Sequence, residues 1–409
     1  ARRMSAGARD GDAAARAARV IPGGSSTGSK RPAALFGALA DGAPTHYVRA
    51  RGCRVTATDG REYVDLISAL GAVAFGYADA EVDDAALRAA RDGAVCGLPS
   101  VREGEVAERL CAVIPSAQAV RFLKSGAEAC QAAVRIARAH TGRSLVLGSG
   151  YFGWLDWWNP EVAGVPHGAA RDWRALPFDD VAAWDAAFDD AGDTLAAVIV
   201  EPLVEQWASR AWLQRLRDRC DAVGAVFILD EIKTCARLHI GGAQARLGVA
   251  PHLTTIGKAI ANGWPLAAVV GEARVMASAT RTWISGTLAG ETTALAACEA
   301  VLDRHAREDV CARLASTGGA LRVHVRAALD AHGLRDVADF GDAAMWGLRW
   351  RDEAEHDRFL AAGRERGVLF KRGAYQFAML AHDADAVAVV RDAAVHAAGV
   401  VAAGRMAGE

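Results

Sequence analysis

Six consecutive apolar residues, Leu195-Ala196-Ala197-Val198-Ile199-Val200, show no polar alternation and include three β-branched side chains. A strand with one wet face would alternate, so this run predicts a strand covered on both sides. Ala225–Leu229 repeats the pattern, and shorter runs at Val120–Lys124, Ser144–Leu147 and Leu266–Val270 extend it. Helical stretches fall between several of them, including Ala127–His140, Trp212–Ala222 and Gly290–Leu302. Alternation of this kind predicts an α/β fold with a large, mainly parallel sheet and helices on both faces.

After residue 303 the pattern changes. An amphipathic helix at Ala312–Ala328, a strand-like Ala344–Trp350, a helix at His356–Arg366, a strand at Val368–Lys371 and a last helix read as a smaller α/β domain. Near the other end, residues 46–67 alternate apolar and polar about Thr58-Asp59-Gly60-Arg61, the pattern of a β-hairpin.

Composition narrows the function. The chain has 409 residues and a net charge of −2, without the basic excess needed to neutralise nucleic-acid phosphates. The eight cysteines are scattered with no CxxC pair, and none of the eleven histidines stands in HxH or HxxxH spacing. This predicts no metal centre and reduced, mostly buried thiols in a cytoplasmic setting. No apolar run approaches the ~18–20 residues of a membrane span, and the N-terminal stretch does not resemble a signal peptide.

The chemistry concentrates at a lysine and an acid. Lys258 stands in Thr254-Thr255-Ile256-Gly257-Lys258-Ala259-Ile260-Ala261-Asn262-Gly263, between a β-like run and a glycine-punctuated turn. Asp230-Glu231 ends the apolar run Ala225–Leu229. A loop lysine and a strand-end carboxylate are what pyridoxal phosphate needs: an amine for the Schiff base and an acid partner for the pyridine nitrogen. Phe122-Leu123-Lys124-Ser125-Gly126-Ala127-Glu128 reads as strand, turn and helix start. Its backbone N–H groups suit a phosphate, although Ser125 also reads as a plain helix cap. Gly150-Tyr151-Phe152-Gly153-Trp154 places an aromatic ring between glycines, fit for a planar ligand or for core packing. Glu201-Pro202 ends another buried run, and Thr282–Gly290 is a small-residue loop ahead of a helix.

In this order these segments resemble the class III pyridoxal-phosphate aminotransferases, and within them the glutamate-1-semialdehyde aminomutase branch. The likeness runs from about Val20 to the C-terminus. It is carried by Ile21-Pro22-Gly23-Gly24, Val120–Glu128, Arg135–Arg143, Asp230-Glu231 and the Lys258 loop. It implies the pyridoxal-phosphate-dependent fold type I and a homodimer with shared sites. Residues 1–70 would join the smaller C-terminal domain of 303–409, and residues 71–302 would form the cofactor domain. It further implies Lys258 as the Schiff-base lysine and proton carrier, and Asp230 on the pyridinium nitrogen. Ser125, Gly126 and Ala127 would lie at the phosphate, and Tyr151 and Ile232 on the two ring faces. Glu201 would stand near the substrate, and Thr287 would reach the neighbouring subunit's cofactor phosphate.

Several positions depart from the family. Tyr151-Phe152-Gly153 stands where Tyr-His-Gly is usual, Thr234-Cys235-Ala236-Arg237 where Thr-Gly-Phe-Arg is usual, and Lys233 where Met or Gln is frequent. Phe122–Cys130, Gly153-Trp154 and Lys371-Arg372-Gly373-Ala374-Tyr375 are similar to class III enzymes acting on amino sugars, in particular at the 6′ position of aminoglycosides. The resemblance thus implies an aminotransferase for an amino-sugar substrate. An epimerase of the amine-bearing carbon stays open, with Lys258 and Cys235 as its two acid/base groups and the Cys235 thiol lowered by a cationic site. So does the bland reading in which Cys235 merely fills space. A catalytically silent scaffold is the non-enzyme alternative, opposed by the retained lysine and aspartate.

Overall fold

The computed structural model describes residues 6–166 and 168–407. It divides into two compact units, one of residues 80–311 and one of residues 1–79 with 312–409. The expected boundaries at 70 and 302 lie earlier on both sides. At the second, the helix Thr292–Arg307 runs through 302 without interruption, its Leu295, Cys298 and Val301 buried.

The larger unit is built on a seven-stranded sheet. Its strands are β1 (Ala119–Leu123), β2 (Leu145–Ser149), β3 (Trp173–Ala175), β4 (Leu195–Val200), β5 (Val226–Asp230), β6 (Leu253–Gly257) and β7 (Ala267–Gly271), in spatial order β1-β7-β6-β5-β4-β2-β3. β3, β2, β4, β5 and β6 run parallel, while β7 is antiparallel to both β6 and β1. Successive residues of the apolar runs serve opposite faces, as strand geometry requires. Val226 and Ile228 pack with the helix α1 (Gly126–Thr141) through Ala129, Ala133 and Ile136. Phe227 and Leu229 pack with the helices α2 (Val181–Ala191) and α3 (Arg210–Val223) through Trp184, Trp212 and Leu216. This two-sided cover explains why β4 and β5 lack polar alternation.

In the smaller unit, Arg54–Ala57 and Glu62–Asp65 pair antiparallel around the Thr58–Gly60 turn and form a four-stranded sheet with Tyr47–Arg51 and Val368–Leu369. Ala338–Asp342, Met345–Arg349 and Gln376–Phe377 form a second, three-stranded sheet. The last helix, Ala384–Met406, is long and apolar enough to cross a membrane by length and composition. The expectation of no such run therefore needs amending. Here Ala386, Val390, Ala393, Ala397 and Val401 are buried in this unit's core against Leu321, Val325 and Phe359, while Asp385, Arg391 and Asp392 are exposed. One apolar stripe with charges opposite is the pattern of a core helix.

Candidate active site

The parallel strands β4, β5 and β6 lie side by side, with Leu229 opposite Val200 and Asp230 opposite Thr255. Their carboxyl ends therefore bring together Glu201, Asp230 and Lys258, the places where parallel sheets bind ligands. Lys258 follows directly on β6 in the left-handed region, φ 52°, and the chain turns back into the antiparallel β7, where Ala267 pairs with Gly257. A non-glycine residue held there costs about 1 kcal/mol or more and is maintained only when its surroundings dictate it.

Asp230 is buried. Its Oδ1 accepts hydrogen bonds from the Ile232 N–H at 3.0 Å and the Thr255 hydroxyl at 2.9 Å, and Oδ2 accepts from the Cys130 thiol at 3.4 Å. Burial, with Glu201 alongside, pushes its carboxyl up to about 6. Burial and the nearby Lys233 ammonium bring the Lys258 amine down to about 8, against the opposing pull of Glu201 and Asp230. An amine lowered this far is partly neutral near physiological pH and available as a nucleophile or base.

Glu201 is buried and divided between two partners. Its Oε1 accepts the Tyr151 N–H at 2.7 Å, and its Oε2 pairs with the Lys233 ammonium. Gly150, at φ 139°, makes this approach possible, because a side chain there would come within 2.7 Å of the Glu201 side chain. Glu231 faces elsewhere. It accepts from the Thr234 hydroxyl, the Ala243 and Gln244 N–H groups and the Gln244 amide, closing the loop between β5 and the helix α4 (Gly242–Leu247). The acidic pair thus splits into one carboxylate for the site and one for the loop.

Ser125 is the N-cap of α1, in a capping box with Glu128: Glu128 N–H donates to the Ser125 hydroxyl at 3.3 Å and Ser125 N–H to the Glu128 carboxylate at 2.8 Å. The two readings of this turn coexist. The side chain caps the helix, and the first-turn N–H groups of Gly126 and Ala127 have no acceptor within the helix. A Cβ on Gly126 would meet Ile232 Cγ2 at 3.0 Å, so glycine keeps this cradle open beside Ile232. Gly153, at φ 91°, brings the aromatic loop against α1, where a Cβ would stand 2.3 Å from Ala127 Cβ.

That loop sorts its rings. Phe152 and Trp157 are buried against the half-buried Trp173, whereas Tyr151 and Trp154 are 65% and 78% exposed, and Asp156 is exposed. Trp158 stands edge-on to Tyr151, centroids 5.6 Å apart, and its indole N–H donates to Gly153 O. Thr287 is exposed and lines a cleft of about 900 Å³ with Val95, Leu98, Phe122 and Ile284.

Cys235 differs from expectation. It is buried, its thiol donates to Ile240 O at 3.5 Å, and burial together with the Glu231 charge pushes it well up rather than down. Its surroundings therefore disfavour the thiolate rather than promote it. Three partners were not legible as such in the sequence: Cys130 and Thr255 on Asp230, and Lys233 on Glu201. Thr255 had a usable signal, since it stands level with Asp230 on the adjacent parallel strand.

Pyridoxal phosphate fits this ground. The Gly126 cradle that a Cβ would fill suits a phosphate, the partly neutral Lys258 suits an aldehyde, and the Asp230 carboxylate, held by three donors, suits a protonated ring nitrogen. Known proteins agree. The aminotransferase class-III profile matches residues 38–151 and 158–381. A glutamate-1-semialdehyde 2,1-aminomutase of Sorangium cellulosum is 34% identical, over 89% of this chain and 90% of its own. Among solved structures, the FumI protein of Sphingopyxis sp. MTA144, in a pyridoxal-phosphate form, is 26% identical with a TM-score of 0.92 and covers 98% of both chains. A β-phenylalanine aminotransferase from Variovorax paradoxus is 27% identical with a TM-score of 0.83, over 98% of this chain and 95% of that one. The chain belongs to the class III aminotransferases, a fold type I family of pyridoxal-phosphate-dependent enzymes that act on small-molecule amines.

Proposed function

We propose that this enzyme is an aminotransferase that moves an amino group to or from an amino sugar, at C6′ of an aminoglycoside precursor. The observation that carries the substrate class is the loop after β2. Exposed Tyr151 and Trp154 offer flat apolar faces for a sugar ring, and exposed Asp156 offers a charge for its ammonium groups.

Bound pyridoxal phosphate supplies an electron-withdrawing ring that stabilises negative charge on the amine-bearing carbon. Lys258 Nζ would hold the group and, as a partly neutral amine, would take and return the proton of the amine-bearing carbon. Asp230 would keep the ring nitrogen protonated; its bonds from Thr255 and Ile232 fix the carboxylate. Gly126 and Ala127 would hold the phosphate through backbone N–H groups at the α1 N-terminus, which Ser125 caps. Ile232, beside Gly126, and Tyr151 would flank the ring, and the outer edge of Tyr151 would remain for substrate. Two copies form a homodimer in which Thr287 of one reaches the cofactor phosphate of the other, in keeping with its exposure beside Val95, Leu98 and Val101.

The test is turnover of a panel of 6′-amino and 6′-oxo aminoglycosides, with a keto acid or amino acid as partner, read by mass. Conversion of amino acids alone, with every amino sugar inert, would overturn the substrate assignment. The alternative is epimerisation of the amine-bearing carbon, for which Cys235 is poorly set as the second acid: it is buried and its thiol donates to Ile240 O. A proton donor on the face opposite Lys258 would return the proton to the same carbon with inversion. Incubation in deuterated water without any keto acid separates the two readings. Inversion with deuterium at the amine-bearing carbon supports the epimerase, and a strict need for an amino acceptor removes it.

A further inference from the structure

Lys233 stands one residue beyond Ile232 on the loop that carries Asp230, and its ammonium pairs with the buried carboxylate of Glu201. The other oxygen of Glu201 holds the Tyr151 N–H at 2.7 Å. One ion pair therefore joins the loop after β5 to the aromatic loop after β2, across the end of β4. Four charged groups bear on Lys258: Lys233 and Arg237 are cationic, Glu201 and Asp230 anionic. Two positive and two negative charges balance.

We propose that Lys233 is a positioning residue for this centre: paired with Glu201, it sets the balance of charge facing Lys258 and, through the same carboxylate, tethers the Tyr151 backbone. The balance makes the effect directional. Without Lys233, Glu201 and Asp230 outnumber Arg237, and Lys258 becomes the natural ammonium partner of Glu201. Without the Glu201 charge, two cations face Asp230 alone, and Lys258 is driven further toward the free amine. Without both, the balance returns. A neighbouring charge at such range moves a titration by about one unit or more. The inference rests on the reading of Lys258 as the cofactor lysine.

The experiment uses the full chain stripped of cofactor. Acetylation of Lys258 by acetic anhydride is followed against pH and mapped by mass spectrometry, so no turnover is involved. Lys233→Met should raise the midpoint by about one pH unit, making labelling at pH 7 about tenfold slower. Glu201→Gln should lower it, Lys233→Arg should stay near the parent, and the double variant Glu201→Gln/Lys233→Met should return toward it. A merely structural pair would give Lys233→Met and Glu201→Gln the same direction of change, through loosening of the Tyr151 loop. That result, or an unmoved midpoint in Lys233→Met, overturns the proposal. The underlying reading is checked separately, by borohydride reduction of the holoenzyme: a pyridoxyl group recovered on another lysine defeats the reading itself, whatever the acetylation midpoints.

Discussion

At the ends of β4 and β5, Glu201, Asp230 and Glu231 are at most 5% exposed and tied to named donors, whereas the loop after β2 leaves Tyr151 and Trp154 in solvent. The strand ends have their charges set by the fold. The aromatic loop shows faces whose use depends on what arrives. Under the proposed function the buried carboxylates serve the cofactor and the exposed Trp154 face serves the substrate, so substitutions in the two regions should fail differently.

The largest effect is expected for Lys258→Ala. Loss of both the covalent attachment and the proton carrier should cut kcat by about 10³-fold or more and abolish cofactor-derived absorbance in the purified protein. Asp230→Asn should come next, at about 10²–10³-fold in kcat, measured with saturating cofactor. It also carries a stability signature. Because the folded carboxyl titrates at about 6, above its usual 3.8, the folded state binds more protons between these values, and the cofactor-stripped protein should lose stability as pH rises from 4 to 6. The loss is of order 3 kcal/mol, and Asp230→Asn should flatten this part of the profile of denaturation midpoint against pH. Should the slope survive the substitution, another group must own it.

Glu231→Gln places an amide NH₂ among donors already aimed at the carboxylate, from Ala243 and Gln244. A cost of about 2–3 kcal/mol in urea unfolding is expected, from buried donors left without an acceptor. Trp154→Ala is the mildest. A tenfold rise in KM for an amino sugar, with kcat and the melting temperature nearly unchanged, would fit a peripheral stacking face at about 1 kcal/mol. An equal fall in stability would place this ring in the structural core instead and erase the contrast.

Lys258 and Asp230 were legible because strand ends announce themselves: an apolar run stops, and a charged residue follows. The Ser125 turn was legible in both its senses, since cap and cradle use different atoms of the same residues. The Lys233–Glu201 pair was not, for its members come from different strand ends and only the sheet order makes them neighbours. Nor was the antiparallel direction of β7, because a buried strand has the same composition whichever way it runs. Cys235 misled by analogy. Closeness to a cationic centre suggests an acidified thiol, yet desolvation and the Glu231 carboxylate outweigh it. The boundary at 302 falls inside the helix Thr292–Arg307, which continues beyond the end of its apolar pattern.

The hydrogen bonds of Glu231 reach further than one loop. Gln244, which it holds, also accepts the Ser116 N–H and donates to the Thr254 hydroxyl, which contacts the Ser116 hydroxyl. Residues 232–241 are thereby mounted as a bracket, bolted at both ends to the sheet. Three of the positions that depart from the family pattern, Lys233, Cys235 and Ala236, lie on that bracket, while Phe152 lies on the aromatic loop. The bonds that mount it use Glu231, Thr234, Ala243 and Gln244, so exchange of the side chains at 233 and 236 leaves the mounting beside Asp230 intact.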